Sequence, residues 1–381
     1  VTYIKSSAPT RIDLAGGTLD IWPLHLFFDN PPTLNAAIDL YATVEITPRK
    51  DKKIVLVSHD LGLSDEFASL DAIPDDHALE LVVRTLKFYA PKSGLEISTN
   101  CQAPQGSGIG GSSALSIALN GALNRLTGRR YLRAEMIKIA MNIETQVIKV
   151  PAGCQDYFPA MHGGVRKVAP GVQGIETEKY SINLPELTRN FVLCYTGKPR
   201  NSGINNWDIT KRYIDGDINL RSLFGQLAKV ASKLRQAIEM EDWISVGKHL
   251  RHEWDLRKRL APSVTTTSID ELVSQGLKAG AQAAKWVVRR RKTAMRGGRK
   301  INPALREEKG DQRRRVTRGG VGPREEEEED HREERTPLRG GVLKRSSGSS
   351  RGGEEGDHHE ETLRGSLHEV PWRKSPVAST Q

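Results

Sequence analysis

Cysteine is scarce in this chain: Cys101, Cys154 and Cys194 are its only three in 381 residues. Given their odd number and the lack of any metal-ligand spacing, a reducing, cytoplasmic setting fits best. No stretch reaches 18 apolar residues and no apolar signal core opens the chain, so a membrane span or secretion is not expected. Aromatics make up 6% of residues, and neither Phe nor Tyr occurs after position 285. A further absence concerns lysine. None follows the glycines at 106–111, which excludes the Gly-x4-Gly-Lys-Ser/Thr phosphate loop.

Those glycines are the most informative feature present. Ala103-Pro-Gln-Gly-Ser-Gly-Ile-Gly-Gly-Ser-Ser-Ala114 puts four glycines into six positions and then runs into good helix formers. Without Cβ atoms, backbone N–H groups can approach a ligand closely. A glycine loop opening a helix aims unpaired N–H groups and the positive dipole end at an anion. The spacing predicts a phosphate-binding loop and a helix near Ser112–Leu126. Gly106, Gly108 and Gly111 also match the dinucleotide fingerprint, but that motif needs a second strand after the helix. Here Arg129-Arg130-Tyr131 leads instead to a second helical pattern, Ala134–Val147.

Pro104 to Ala114 closely resembles the Pro-x3-Gly-Leu-Gly-Ser-Ser loop of the GHMP kinases, the superfamily of galactokinase, homoserine kinase and mevalonate kinase. Isoleucine replaces the usual leucine, and Gly111 stands where a serine is common. The resemblance implies that Pro104, Gly106, Ser107, Gly108, Gly110, Gly111, Ser112 and Ser113 form the ATP phosphate site. It also implies that Ser112 reaches Mg²⁺, with Ser113 next in register.

Ser7-Ala-Pro-Thr-Arg-Ile-Asp-Leu-Ala-Gly-Gly-Thr-Leu-Asp20 reads as a short strand and a tight Gly-Gly turn. It is similar to the first motif of the sugar-kinase branch, including fucokinases and heptose 7-phosphate kinases. That similarity places Arg11 by the transferring phosphoryl group, where a bidentate, always-charged guanidinium suits it. It places Asp20, with Gly17, at the sugar hydroxyls. In Glu144-Thr-Gln-Val-Ile-Lys-Val-Pro-Ala-Gly-Cys-Gln-Asp156, Pro151 and Gly153 break a helix that Glu144 closes. Taken alone, Glu144 is as well explained by a solvated helix face and Asp156 by a helix N-cap. Within the resemblance, Glu144 completes the Mg²⁺ site with Ser112, Asp156 is the catalytic base, and Gln155 touches substrate. Val192-Leu-Cys-Tyr-Thr-Gly-Lys-Pro-Arg-Asn-Ser202 resembles a heptose-kinase segment, so Thr196, Arg200 and Ser202 are expected at the sugar or its phosphate.

The coarse pattern is strands at Ala42–Thr47, Lys53–Val57, Gly94–Ser98 and Phe191–Tyr195. Helices are expected at His77–Tyr89, Leu220–Met240, Trp243–Arg259 and Ile269–Ala284. The superfamily implies an α+β fold in two lobes. An N-terminal lobe of the ribosomal protein S5 domain 2 type would span 1–186, and a C-terminal lobe 187–285. The stretch 286–381 changes character, with 18 arginines and a Glu325–Glu329 run. It holds 23 Lys+Arg against 17 Asp+Glu, leaving 34 against 30 in the rest, so the net charge of +10 sits largely there. Such a composition is expected to be disordered. A basic tail that touches nucleic acid or membranes is one reading of it. A frameshift product is the other, because Ala279-Gly-Ala-Gln-Ala-Ala-Lys285 resembles the approach to the superfamily's third glycine motif, which never arrives. The expected activity is ATP- and Mg²⁺-dependent transfer of a phosphoryl group to a hydroxyl of a monosaccharide or sugar phosphate, without a membrane or nucleic-acid partner. A weakly active nucleotide-binding protein of the same fold is the alternative.

Overall fold

The first strand, β1 (Ile4–Ala15), is far longer than the opening segment suggests, and it pairs antiparallel along β2 (Thr33–Pro48). The computed structural model describes residues 3–28, 30–195, 206–261 and 264–285. Thr196, Arg200, Ser202 and the stretch 286–381 lie outside the described residues. After β2 come a hairpin of β3 (Ile54–Ser58) and β4 (Leu63–Phe67), then α1 (Glu80–Tyr89) and β5 (Leu95–Cys101). α2 (Gly111–Thr127), α3 (Arg133–Ile148) and the short α4 (Tyr157–His162) follow, and then the hairpin of β6 (Val165–Gly171) and β7 (Gly174–Lys179). The rest is helical: α5 (Leu184–Asn190), α6 (Asn206–Ile214), α7 (Ile218–Glu239), α8 (Trp243–Lys258) and α9 (Thr267–Lys278).

Seven strands form one mixed sheet in the order β4-β3-β5-β2-β6-β7, with β1 also on β2. Only β3 and β5 run parallel, and α1 supplies the crossover such a pair requires. The fold is α+β. One core packs the sheet against α1–α4 through residues such as Val44, Ile97, Leu119 and Phe158. A second, helical core joins α6–α9 through Phe224, Leu227 and Trp254, and it takes in Leu19, Ile21 and Leu24 from just after β1. The turn leaving β1 is thus gripped by the C-terminal helices.

The strand expected at Phe191–Tyr195 does not form. Those residues are irregular and unpaired, and Val192 is 94% exposed. An apolar run becomes a strand only where a neighbour can take its hydrogen bonds. No described helix is long and apolar enough to cross a membrane.

Candidate active site

A cleft of about 320 Å³ gathers the sequence motifs. Its rim is the loop before α2, where Gly106, Gly108 and Gly110 all take positive φ, at 92°, 81° and 74°. Side chains rarely tolerate that backbone, so the alternating glycines are a geometric requirement. Gly110 caps α2 without any side-chain hydrogen bond, and the first turn of the helix carries no acid. The first N–H groups of α2 have no intrahelical partner and Gly111, Ser112 and Ser113 line the cleft, an arrangement suited to an anion.

Successive strand residues alternate faces, so Arg11 and Asp13 on β1 point the same way, towards the cleft. The Arg11 backbone N–H donates to Ile109 O at 2.9 Å and joins β1 to the phosphate loop. Its guanidinium donates to Gly108 O at 2.9 Å through Nη1, and to Asp156 Oδ1 through Nε and Nη2 at 2.9 and 2.5 Å. Burial alone would pull the Arg11 pKa down, but the Asp156 charge and then Asp13 outweigh it and hold it above the ordinary value. Asp156 does occupy the N-cap position of α4, yet its side chain makes no capping bond. It turns to Arg11 instead.

Ser112 and Ser113, at the start of α2, both reach Glu144 on α3. Ser112 Oγ donates to Oε1 at 2.6 Å and Ser113 Oγ to Oε2 at 2.9 Å. Tyr157 also donates to Oε2, at 2.6 Å. Burial, reinforced by the Glu144 charge, pushes this phenol well up, so it stays a proton donor. The sequence reading assigned Tyr157 no role, although it directly follows Asp156.

Asp20 is 3% exposed and accepts from the Gln155 N–H at 2.9 Å. Gly153 packs so closely that a Cβ there would lie 2.1 Å from Asp20 Oδ2. Asn206, also on the cleft wall, donates to Pro151 O at 3.0 Å and ties α6 to the same segment. Gly17 enters through its carbonyl, which accepts from Arg257 Nη2 at 3.0 Å. The structure thus brings together Arg11, Gly17, Asp20, Pro104, Gln155, Asp156, Glu144 and the loop residues.

Beneath the Gly17 turn lies a buried charge cluster that sequence reasoning missed. Arg257 on α8 donates to Glu253 Oε1 at 2.9 and 2.6 Å and reaches Asp13 Oδ2 at 3.4 Å. Lys285 Nζ sits 2.9 Å from Glu253 Oε2, 3.4 Å from Asp13 Oδ2 and 3.2 Å from Leu14 O. All four side chains are at most 7% exposed. Two cations balance two carboxylates, and only such pairing makes buried charge tolerable. The Asp13 carboxyl feels burial raising its pKa, but Lys285, then Arg257 and Arg11, bring it below its ordinary value. Cys154, by contrast, has its thiol raised well above the usual value by burial, so it is no nucleophile.

Residues 77–164 match the family model of the GHMP kinases N terminal domain, a span that includes the loop, Glu144, Asp156 and Tyr157. The chain is 25% identical over 297 residues to the D-glycero-alpha-D-manno-heptose 7-phosphate kinase of Campylobacter jejuni, covering 74% of this chain and 85% of that protein. It is also 25% identical over 301 residues to the mevalonate kinase of Pyrococcus furiosus, with 74% and 85% covered. Among solved structures, a D-glycero-D-manno-heptose 1-phosphate kinase from Bacteroides thetaiotaomicron has the same fold, with a TM-score of 0.58, 20% identity, and coverage of 74% and 85%. The loop and these relatives agree: residues 77–164 carry a GHMP kinases N terminal domain, and the described chain has the fold of the kinases it resembles.

Proposed function

We propose that the protein transfers the γ-phosphoryl group of ATP to a hydroxyl of a monosaccharide or sugar phosphate. The observation that carries this reading is the Arg11–Asp156 pair, bound on one side to the phosphate loop and open on the other to the cleft. Arg11 neutralises charge beside the phosphates. Its donors converge on Oδ1 of Asp156, and among the described residues Oδ2 takes no hydrogen bond. That oxygen is available to the acceptor hydroxyl, which must lose its proton as the phosphoryl group arrives. Asp20, held by the Gln155 N–H, accepts hydrogen bonds from the acceptor's other hydroxyls, which favours a polyol. Leu61, Leu79, Val147 and Ile148 give the far wall of the cleft the apolar character suited to a nucleobase.

The reaction calls for a divalent cation, and the donors fit one. Among the described residues no group of three or more His, Cys, Asp or Glu side chains could hold a metal unaided. Ser112 and Glu144 offer hard oxygens at the end of the phosphate loop. Mg²⁺ commonly takes one or two such ligands and completes its shell with phosphate oxygens and water. When bound, it would neutralise the polyphosphate charge. Release of ADP measured against L-fucose, galactose, heptose phosphates and mevalonate tests the assignment. Sugar-dependent ADP release is the expected result. Turnover with mevalonate alone would replace the acceptor class, and turnover with none of them would sink the kinase assignment.

A further inference from the structure

The two oxygens of the Glu144 carboxylate face different surroundings. Among the described residues Oε1 accepts only from Ser112, which is exposed on the cleft. Oε2 accepts from two buried donors, Ser113 and Tyr157, which are 3% and 2% exposed. A phenol donating to a carboxylate at 2.6 Å is a charge-assisted bond of the stronger kind.

We infer that Tyr157 is a positioning residue for the cation that accompanies the nucleotide: its donation to Oε2 fixes the carboxylate so that Oε1, beside Ser112, meets the metal. The inference rests on the reading of Ser112 and Glu144 as the metal-holding pair. A glutamate side chain on a helix has several rotamers, and an oxygen anchored from the buried side removes most of that freedom. Without the phenol, Oε2 keeps Ser113 alone, and the carboxylate can swing either oxygen outward. Partners behind a metal ligand act in this way, orienting it without touching the metal. Tyr157 also follows Asp156 directly, so the first turn of α4 sends one side chain to Arg11 and the next to the metal pair. The sequence spacing itself locks the two halves of the site to one backbone segment.

Tyr157→Phe keeps the ring and its packing and removes only the hydroxyl. Mn²⁺ takes the same oxygen ligands and is read by electron paramagnetic resonance, so it serves as the probe in the presence of ATP. Binding of Mn²⁺ to the protein–ATP complex should weaken about 10-fold, the lower end of the effect usual for such partners. ATP affinity in EDTA should stay at the wild-type value, while loss of the buried charge-assisted bond should lower the Tm by about a few degrees without unfolding the protein. Ser113→Ala, which removes the other donor to Oε2, should weaken Mn²⁺ in the same direction and less. Glu144→Gln, measured alongside, separates the two levels of the argument. If Glu144→Gln loses Mn²⁺ and Tyr157→Phe does not, the positioning role is overturned while the metal pair stands. Equal weakening of ATP with and without Mn²⁺ in Tyr157→Phe makes the tyrosine a general structural element and overturns the role too. Undiminished Mn²⁺ binding in Glu144→Gln removes the metal pair and, with it, the basis of the inference.

Discussion

Arg11 places two of its N–H groups on a single oxygen of Asp156, at 2.9 and 2.5 Å, and its third donor on the carbonyl of Gly108. A guanidinium can span carboxylate and loop in this way because its fork is planar and rigid. An ammonium at the same site would be a point charge able to satisfy one partner well. The pair therefore ties the glycine loop before α2 to the start of α4.

That relationship yields opposite signatures for the roles open to Asp156. As the base, Asp156→Asn should lower kcat by about 10²–10⁴-fold with little change in acceptor KM. Arg11→Lys should lower kcat as well, since it keeps the charge and loses the fork. As an orienting group only, Asp156→Asn would raise KM and spare kcat. As a helix cap it would cost roughly 0.5–2 kcal/mol of stability with kinetics nearly intact. The cap is already disfavoured by the missing capping bond at α4. Steady-state kinetics with urea unfolding of each variant separates the three.

How much of this was legible in the sequence follows the range of the interactions. The phosphate loop is local, because positive φ at alternate positions demands glycine and leaves a visible spacing. Its helix, expected near Ser112–Leu126, runs Gly111–Thr127. The helices expected at Leu220–Met240 and Trp243–Arg259 fall at Ile218–Glu239 and Trp243–Lys258, since amphipathic period and flanking Asp caps are also local. Phe191–Tyr195 misled because pairing, not composition, decides a strand. Arg257, Glu253 and Lys285 were invisible for the same reason on a larger scale. Arg257 and Glu253 lie on the charge-rich α8, Lys285 lies beyond α9, and their partner Asp13 is more than 200 residues away in the chain. Tyr157 carries no local sequence signal for its partner, and only the fold brings its hydroxyl 2.6 Å from Glu144.

Gly153 offers a steric test of the acceptor side. Its backbone is not strained, so Gly153→Ala acts only through the added methyl group, which would sit 2.1 Å from Asp20 Oδ2 and 2.6 Å from its Cγ. The carboxylate must move, and a displacement of about 1 Å at a reacting site can cost roughly 100-fold. Acceptor kcat/KM should therefore fall by at least about 10-fold, while ATP affinity stays near wild type because the phosphate loop is untouched. Fluorescence or calorimetric titration with ATP, beside acceptor kinetics, provides the check. An unchanged acceptor KM would mean that Asp20 does not contact the acceptor.

The buried cluster makes stability depend on acid in a direction that can be worked out. The Asp13 carboxyl is held below its ordinary value once the charges of Lys285, Arg257 and Arg11 outweigh burial. A group whose native pKa is depressed contributes stability that is fully present above its unfolded value, about 3.9, and is lost as pH falls through the lower native value. Lys285 is the largest charge holding it down. Lys285→Met leaves Arg257 as the shared ion-pair partner of Asp13 and Glu253, with Arg11 already paired to Asp156, so one buried negative charge goes uncompensated. Breaking such a pairing costs about 3–5 kcal/mol. With its main partner gone, Asp13 should also take up a proton at higher pH than in the wild type. The acid limb of the stability curve should then move upward in pH, while stability near pH 7 falls by the cost of the lost pair. Thermal or urea unfolding of both proteins across the acid range measures this. Superimposable acid limbs would show that Lys285 does not compensate Asp13, and that its burial among these carboxylates contributes packing rather than charge balance.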